Sequence, residues 1–244
     1  MKKLLTFLLV AFTMSVTAQE SVLLRLNYAS GDTYIMDLQL AQDMGSMMSM
    51  DMGMKMKQTI TSVSGDTYES TIKIASVAMD MSQGGQNVSY DSSKSDDELD
   101  ASGKVMQAQM APMLQAVISV KGNNLGEVIE TVVEPNVPGT ADLAKQSSGV
   151  VYPKEAVRVG DTWTLSKSEK GMAMDFIYKV SSIAEEVVVL EVSGKVGGMA
   201  EGNITGMINV DRNSGVPSSS KIAMDMTAQG QKMSIKTTMK VTKG

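Results

Sequence analysis

The stretch MGSMMSMDMGMKMK, residues 44–57, holds seven methionines, and six of them (Met44, Met48, Met50, Met52, Met54 and Met56) share even numbering. Side chains two apart on a β-strand point to the same face. This spacing therefore lays one apolar, polarizable row along one side of a strand and leaves Ser49, Asp51 and Lys55 on the other. A helix would scatter the same residues around its circumference.

The same period of two recurs along the chain. Leu24, Leu26 and Tyr28 alternate, then Tyr34, Met36, Leu38 and Leu40. Tyr68, Ile72 and Ile74 keep even phase while Val77, Met79 and Met81 take odd phase, so a β-bulge is expected near Ala75–Ser76. Further runs are Met172 to Val180, Val188 to Val192, Ile204 to Val210, Ile222 to Met226 and Met233 to Val241. Polar, glycine-containing breaks (SGD, QGGQ, GNNLG, RNSG, AQGQ) sit where hairpin turns are required. The expected fold is mainly β: an antiparallel sheet or open half-barrel built from two related halves, with one or two short helices. Met106, Met110, Met113, Leu114 and Val117 follow helical spacing and predict a helix near 104–117, interrupted or restarted at Pro112. TADLAKQSS, residues 140–148, is a second, polar candidate helix, and the acidic segment 90–103 reads as an exposed loop.

The halves echo one another. SGDTYIMDL (30–38) resembles VGDTWTLSK (159–167), SMDM (49–52) resembles AMDF (173–176), and AMDM occurs at 78–81 and 223–226. ISVKGNNLG (118–126) parallels INVDRNSG (208–215). The expected organisation is a signal segment at 1–18, a first β-rich half at 19–134, a connector at 135–155 containing EPNVPG, and a second half at 156–244.

Residues 1–20, MKKLLTFLLVAFTMSVTAQE, have a basic start, a short apolar run and a small-residue VTA site, the order of a secretory signal with cleavage near Ala18. The apolar run is shorter than the roughly 20 residues of a membrane helix. Loss of 18 of the 244 residues leaves 226, and loss of Lys2 and Lys3 moves the formal charge from −5 to −7. The expectation is export to the periplasm or beyond, soluble and with no membrane span after cleavage. An acidic chain offers no electrostatic footprint for nucleic acid. The absence of cysteine means that no disulfide holds the exported chain, and the absence of histidine removes Ser-His-Asp, Cys-His and imidazole-metal chemistry.

The export signal, YASGDTY, the alternating methionines, SYDSS and above all VVYPKEAVRVGDTW (150–163) resemble an uncharacterised family of exported bacterial proteins, domain of unknown function 6263. The likeness is read over the whole mature chain. Its motifs are those of turns and strands, so the resemblance implies location and fold and carries over no functional residue.

Three readings of the methionines stay open. Methionine fills irregular gaps, so the row is first a core face. It is next a wall of an apolar ligand site formed by Met48, Met50, Met52, Met54, Met56, Met79, Met81, Met174, Met224 and Met226. It is third a Cu(I) site on Met50, Met52, Met54 and Met56, because thioethers select soft monovalent metal. DRNSG (211–215) lacks the Glu that a calcium loop needs at position twelve, where Ile222 stands, and reads as a hairpin turn. Asp32, Asp66 and Asp161 of the GDT turns are expected to bond their own backbone, and Trp163 to anchor the second half of the core. No catalytic constellation and no cofactor motif emerges. The expected function is a non-enzymatic binding or structural protein of the cell envelope, with a hydrophobic small molecule or an envelope protein as partner; the alternative is Cu(I) binding.

Overall fold

In the computed structural model, which describes residues 20–137, 140, 150–169 and 171–244, hairpin follows hairpin along the chain. After a two-residue strand β1 (Ser21–Val22) come β2 (Thr33–Asp43), β3 (Met48–Ser64), β4 (Thr67–Gln83) and β5 (Gln86–Asp91). Helix α1 (Ala101–Gln115) precedes β6 (Val117–Asn123) and β7 (Val128–Glu134). A second two-residue strand, β8 (Val157–Arg158), leads into β9 (Thr162–Glu169), β10 (Met172–Ile183), β11 (Val187–Gly198), β12 (Glu201–Asp211), β13 (Pro217–Ala228) and β14 (Gln231–Lys243).

Twelve of these strands form one antiparallel sheet in the order β7-β6-β4-β3-β2-β14-β13-β12-β11-β10-β9, with β5 extending the far end of β4. The sheet is open, and β7 and β9 are its edges. Pairing of β2 with β14, Leu38 opposite Met239, makes the two halves a single sheet. The expected bulge is present: Lys55 pairs with Ser76 and Met56 with Ile74, leaving Ala75 extra. That slip returns the phase-switched half of β4 to the face it occupied before.

The sheet curls, and two backbone bonds prove it. Leu26 N–H donates to Asn124 O in the β6–β7 turn, and Asn27 N–H donates to Ser214 O in the β12–β13 turn, each at 2.8 Å. Strands β6 and β12 are six places apart, about 29 Å on a flat sheet at ~4.8 Å per step. Consecutive residues reach both only if that end of the sheet wraps round. Glycines permit the bend: a Cβ on Gly194 or Gly206 would run into the carbonyl of Asp175 or Lys221 on the adjoining strand.

The wrapped end is plugged. Residues 22–26 and 150–157 cross it, joined where Val22 pairs with Val157. Arg25 donates to the carbonyls of Pro153 (2.8 Å) and Lys154 (2.5 Å). Val22, Leu24, Val150, Tyr152 and Val157 are buried against Val180, Val188, Leu190 and Val210. Tyr152 Oη donates to Gly215 O at 2.7 Å, and Trp163 Nε1 donates to Val151 O at 2.8 Å while its ring stacks on Tyr178. Trp163 thus anchors the second half as expected. Beside the plug, Tyr28 packs edge-on against Tyr34 and Tyr68.

Of the three GDT turns, those at Asp32 and Asp161 are built alike. Gly31 N–H and Gly160 N–H donate to Ile60 O and Val180 O, and Asp32 O and Asp161 O accept from Ile60 and Val180 N–H. Both glycines have positive φ, 89° and 93°. Asp32 and Asp161 accept from Ala29 and Arg158 N–H, their own turns. Asp66 differs from expectation: its carboxylate accepts from Asn124 Nδ2, tying β3–β4 to β6–β7. With Ile60 equivalent to Val180, Met56 corresponds to Phe176, so SMDM and AMDF are four residues out of register. The two AMDM segments lie in β4 and β13, strands without equivalent positions. Short Met-rich patterns repeat because every strand needs one apolar face; only the turns carry the repeat.

Three other expectations change. Helix α1 begins earlier and ends earlier than 104–117, and Val117 is the first residue of β6, opposite Lys73. Pro112 does not interrupt it, because the helix closes three residues later and one lost N–H near the end costs one bond. Segment 90–103 is not simply a loop: Ser95 and Glu98 cap a 3-10 turn at Asp96–Glu98, and Asp100 caps α1 by accepting from Gly103 N–H at 2.7 Å. The signal segment 1–18 and the candidate helix at 140–148, apart from Thr140, lie outside the described residues.

Candidate functional site

Cross-strand pairing places all ten candidate methionines on the inward face of the sheet. Met50 lies opposite Met81, Met52 opposite Met79, Met54 opposite Val77 and Met56 opposite Ile74. Met224 is opposite Ile204 and Ile235, Met226 opposite Met233, and Met174 opposite Val196. Neighbours in such pairs stand about 5 Å apart, whereas Met50, Met52, Met54 and Met56 are about 6.6 Å apart in steps along one strand. The structure therefore joins Met50 to Met81 and Met52 to Met79 more closely than it joins the four β3 methionines to one another.

Burial divides the set. Met54 and Met56 (each 3 % exposed), Met79 (7 %) and Met226 (6 %) are buried. Met54 and Met56 pack with Met36, Ile72 and Ile118, under Met113 and Leu114 of α1. Met48, Met50, Met52, Met81, Met174 and Met224 are only half-buried. The half-buried ones lie toward the end of the sheet away from the plug, where Gln42 joins the halves: it sits between Met50 and Ile235, and its Nε2 donates to Met233 Sδ at 3.5 Å. Read across the strands, Val88, Met81, Met50, Gln42, Ile235, Met224 and Ile204 form one continuous inward row, six of the seven apolar. A second row beside it runs Tyr90, Met79, Met52, Leu40. Gln42, Leu40, Tyr90 and Met233 are not among the residues that the sequence singles out as a site, although Leu40 and Met233 fall in its alternating runs. Their even or odd phase was legible, but which strands adjoin was not.

Such a face offers adaptable apolar contact area and almost no charge. The outer face carries the ions, with Asp37 beside Lys55 and Asp51 directly opposite Asp80. A cleft of about 570 Å³ borders Asp43, Asn203, Asp225, Lys232 and Met233. Asp43, Ser234, Asp225 and Asn203 form a row in the outward phase, but Met226 and Met233, which also line the cleft, are in the inward phase, so the cleft takes residues from both faces at that end of the sheet.

The ionisable groups with shifted equilibria belong to the framework. Burial pushes Tyr68 and Tyr178 up to about 12, and burial with Asp32 beside it does the same to Tyr34. Burial, then Tyr68 and Tyr34, holds Tyr28 well above the ordinary phenol range. These phenols stay protonated donors at neutral pH. Asp32 is held below its ordinary value by Lys243 (2.7 Å) and by Ala29 N–H. Asp211 accepts from Ser214 Oγ and N–H, the hairpin arrangement expected of DRNSG, with Gly215 at φ 66°. Among the described residues no group of three or more His, Cys, Asp or Glu is placed to hold a metal, and no helix is long and apolar enough to cross a membrane.

These features define a class: a large open antiparallel sheet, curled, plugged at one end, with an apolar inner face. Residues 144–217 match the model of a family of unknown function, DUF6263, the family resembled by the sequence motifs but over a shorter span than the whole chain. That match covers the whole plug segment 150–157 and runs to Pro217, the first residue of β13. Among solved structures, one described for lipid–protein interactions in lipovitellin is similar in fold, with a TM-score of 0.55 and 10 % identity. The likeness covers 89 % of this chain but spans only 25 % of that one. No curated protein matches the chain.

Proposed function

We propose that this protein is a non-enzymatic binding protein of the cell envelope that holds a hydrophobic ligand against its methionine-lined inner face. The observation that carries the reading is the half-buried inward row Met81, Met50, Met224 with Met52 beside it. A sheet that needed these side chains only as core would cover them as completely as Met54 and Met56. Unbranched thioethers suit a ligand of variable shape, because they repack at low cost. The similarity in fold to a lipovitellin studied for its lipid contacts agrees with the reading. The basic, apolar, small-residue order of residues 2–18 supports export, and N-terminal sequencing of the exported protein is expected to begin at or beside Gln19. Recovery of intact Met1 from a membrane fraction would refute that part.

Cu(I) binding is the rival, favoured by the direct Met50–Met81 and Met52–Met79 pairs. One experiment separates the two: titration of a fluorescent lipid probe beside a Cu(I) competition titration, on wild type and on the Met50→Leu/Met52→Leu/Met79→Leu/Met81→Leu variant. Leucine keeps volume and apolar area but has no sulfur donor. Lipid-probe affinity is expected to persist in the variant, and tight Cu(I) binding that vanishes there, with no lipid binding in either protein, would overturn the proposal.

A further inference from the structure

The SYDSS segment spends unusual care on one aromatic side chain. Asp91 accepts from Ser93 N–H (2.9 Å) and Ser93 Oγ (2.7 Å), and Ser92 bonds Val77 twice, its N–H to Val77 O and its Oγ from Val77 N–H, each at 2.9 Å. These bonds pin the last residues of β5 to β4 and hold Tyr90 opposite Met79 on the inward face. Tyr90 is 2 % exposed, yet its hydroxyl has no hydrogen-bond partner. A buried phenol left unpaired is costly, and such a group calls for a reason. The hydroxyls of Thr131 and Thr140 share this condition, but Tyr90 alone borders the methionine rows. Burial and the Asp91 charge raise its pKa, so at neutral pH it is a donor.

Helix α1 packs over β4 and β5 without gripping them: Gly103 is its one buried residue, while Met106, Met110, Met113 and Leu114 are half-buried and Val105 is exposed. Inward of Tyr90 the row continues as Met79, Met52 and Leu40.

We infer that Tyr90 is the polar anchor of the inner face, its hydroxyl donating to the carbonyl oxygen of an aliphatic ligand whose chain lies along Met79, Met52 and Leu40. The inference rests on the apolar-ligand reading and narrows it to a class: a fatty acid or acyl ester, a straight chain ending in a carbonyl acceptor. Helix α1 is the element that yields when the chain enters. The hydroxyl makes no bond within the protein, so Tyr90→Phe leaves the fold intact and removes only the bond to ligand.

The test compares wild type with Tyr90→Phe for dodecanoic acid, methyl dodecanoate and pyrene, which has no hydrogen-bonding group. The expected result is a weakening of about tenfold for the carbonyl ligands, the value of one net hydrogen bond, and none for pyrene. Weakening confined to the free acid identifies the carboxyl as the partner; weakening of both identifies the acyl carbonyl. As an independent readout, the resonance of the Tyr90 ring carbon that bears the hydroxyl is expected to move in wild type when dodecanoic acid is added. Equal binding of every probe by both proteins, or an unmoved resonance, overturns the anchor but leaves the apolar-ligand reading standing. Absence of binding by all three probes overturns both.

Discussion

Truncating single residues along β3 grades the interior of this sheet. Met54→Ala removes three heavy atoms from a side chain 3 % exposed, enclosed by Leu38, Val77 and the cluster under α1. At about 0.8 kcal/mol per methylene-sized group the transfer loss is roughly 2.4 kcal/mol. A partly relaxed cavity brings the total to about 3 kcal/mol, within the usual range of about 2–5 kcal/mol for Met→Ala in a core. Met50, half-buried on the same face, loses about half of that. Asp51, exposed between them on the other face, stands opposite Asp80, so Asp51→Ala relieves a like-charge pair and changes stability by no more than about 0.5 kcal/mol, in the stabilising direction. Urea melts read all three, with the slope m unchanged, since the area exposed on unfolding hardly differs. If Met50→Ala costs as much as Met54→Ala, the inner face has no open part at Met50 and the ligand site loses its foundation. If Asp51→Ala costs as much as either, the assignment of faces is wrong.

Acid sensitivity follows from Asp32. Its folded pKa lies below the ordinary 3.8, chiefly through Lys243, so its contribution is present above that value and is lost as pH falls through the lowered one. Asp32→Asn is expected to flatten the acid limb of the urea midpoint against pH, and an unchanged limb would refute the coupling. Gly194→Ala is expected to destabilise by more than about 2 kcal/mol, because its Cβ would strike the backbone of Asp175, whereas Gly197→Ala, which meets nothing within 4 Å, is expected to be neutral or slightly stabilising. Thermal melts that fail to separate the two would show that the sheet does not need the bend. Tyr152→Phe leaves Gly215 O without its buried partner and is expected to cost about 1–3 kcal/mol while the far end of the sheet, read by Met50 methyl resonances, stays unchanged. A spread of shifts to that end would mean that the plug and the methionine rows are one unit.

Much of the molecule is local and could be read residue by residue. Alternation fixes which side chains of a strand share a face, so the strands, the bulge at Ala75 and the inward phase of the ten methionines were legible. The GDT turns were legible as well, because an aspartate that bonds its own backbone and a glycine of positive φ act within a few residues. The caps around α1 were local too; Asp100 and the Ser95–Glu98 box were simply read as solvated charge.

Other features depend on partners distant in the chain. Asp66 has the same turn sequence as Asp32 but turns to Asn124, 58 residues away, because β4 pairs with β6, Thr67 opposite Asn123, and sets the two turns side by side. The motif around Tyr152 and Trp163 has the pattern of turn and strand and forms a plug, since Leu125 and Gly215 reach it only when the sheet wraps. Whether a methionine is core or open surface was likewise invisible. Met54 and Met50 are the same residue on the same face of the same strand, and their burial differs because Met54 belongs to the cluster against which Met113 and Leu114 of α1 pack and Met50 does not. Period and turn chemistry decide orientation, which is a property of neighbouring bonds; burial, pairing and the orphaned hydroxyl of Tyr90 depend on which segments arrive from elsewhere, and only the folded sheet decides that.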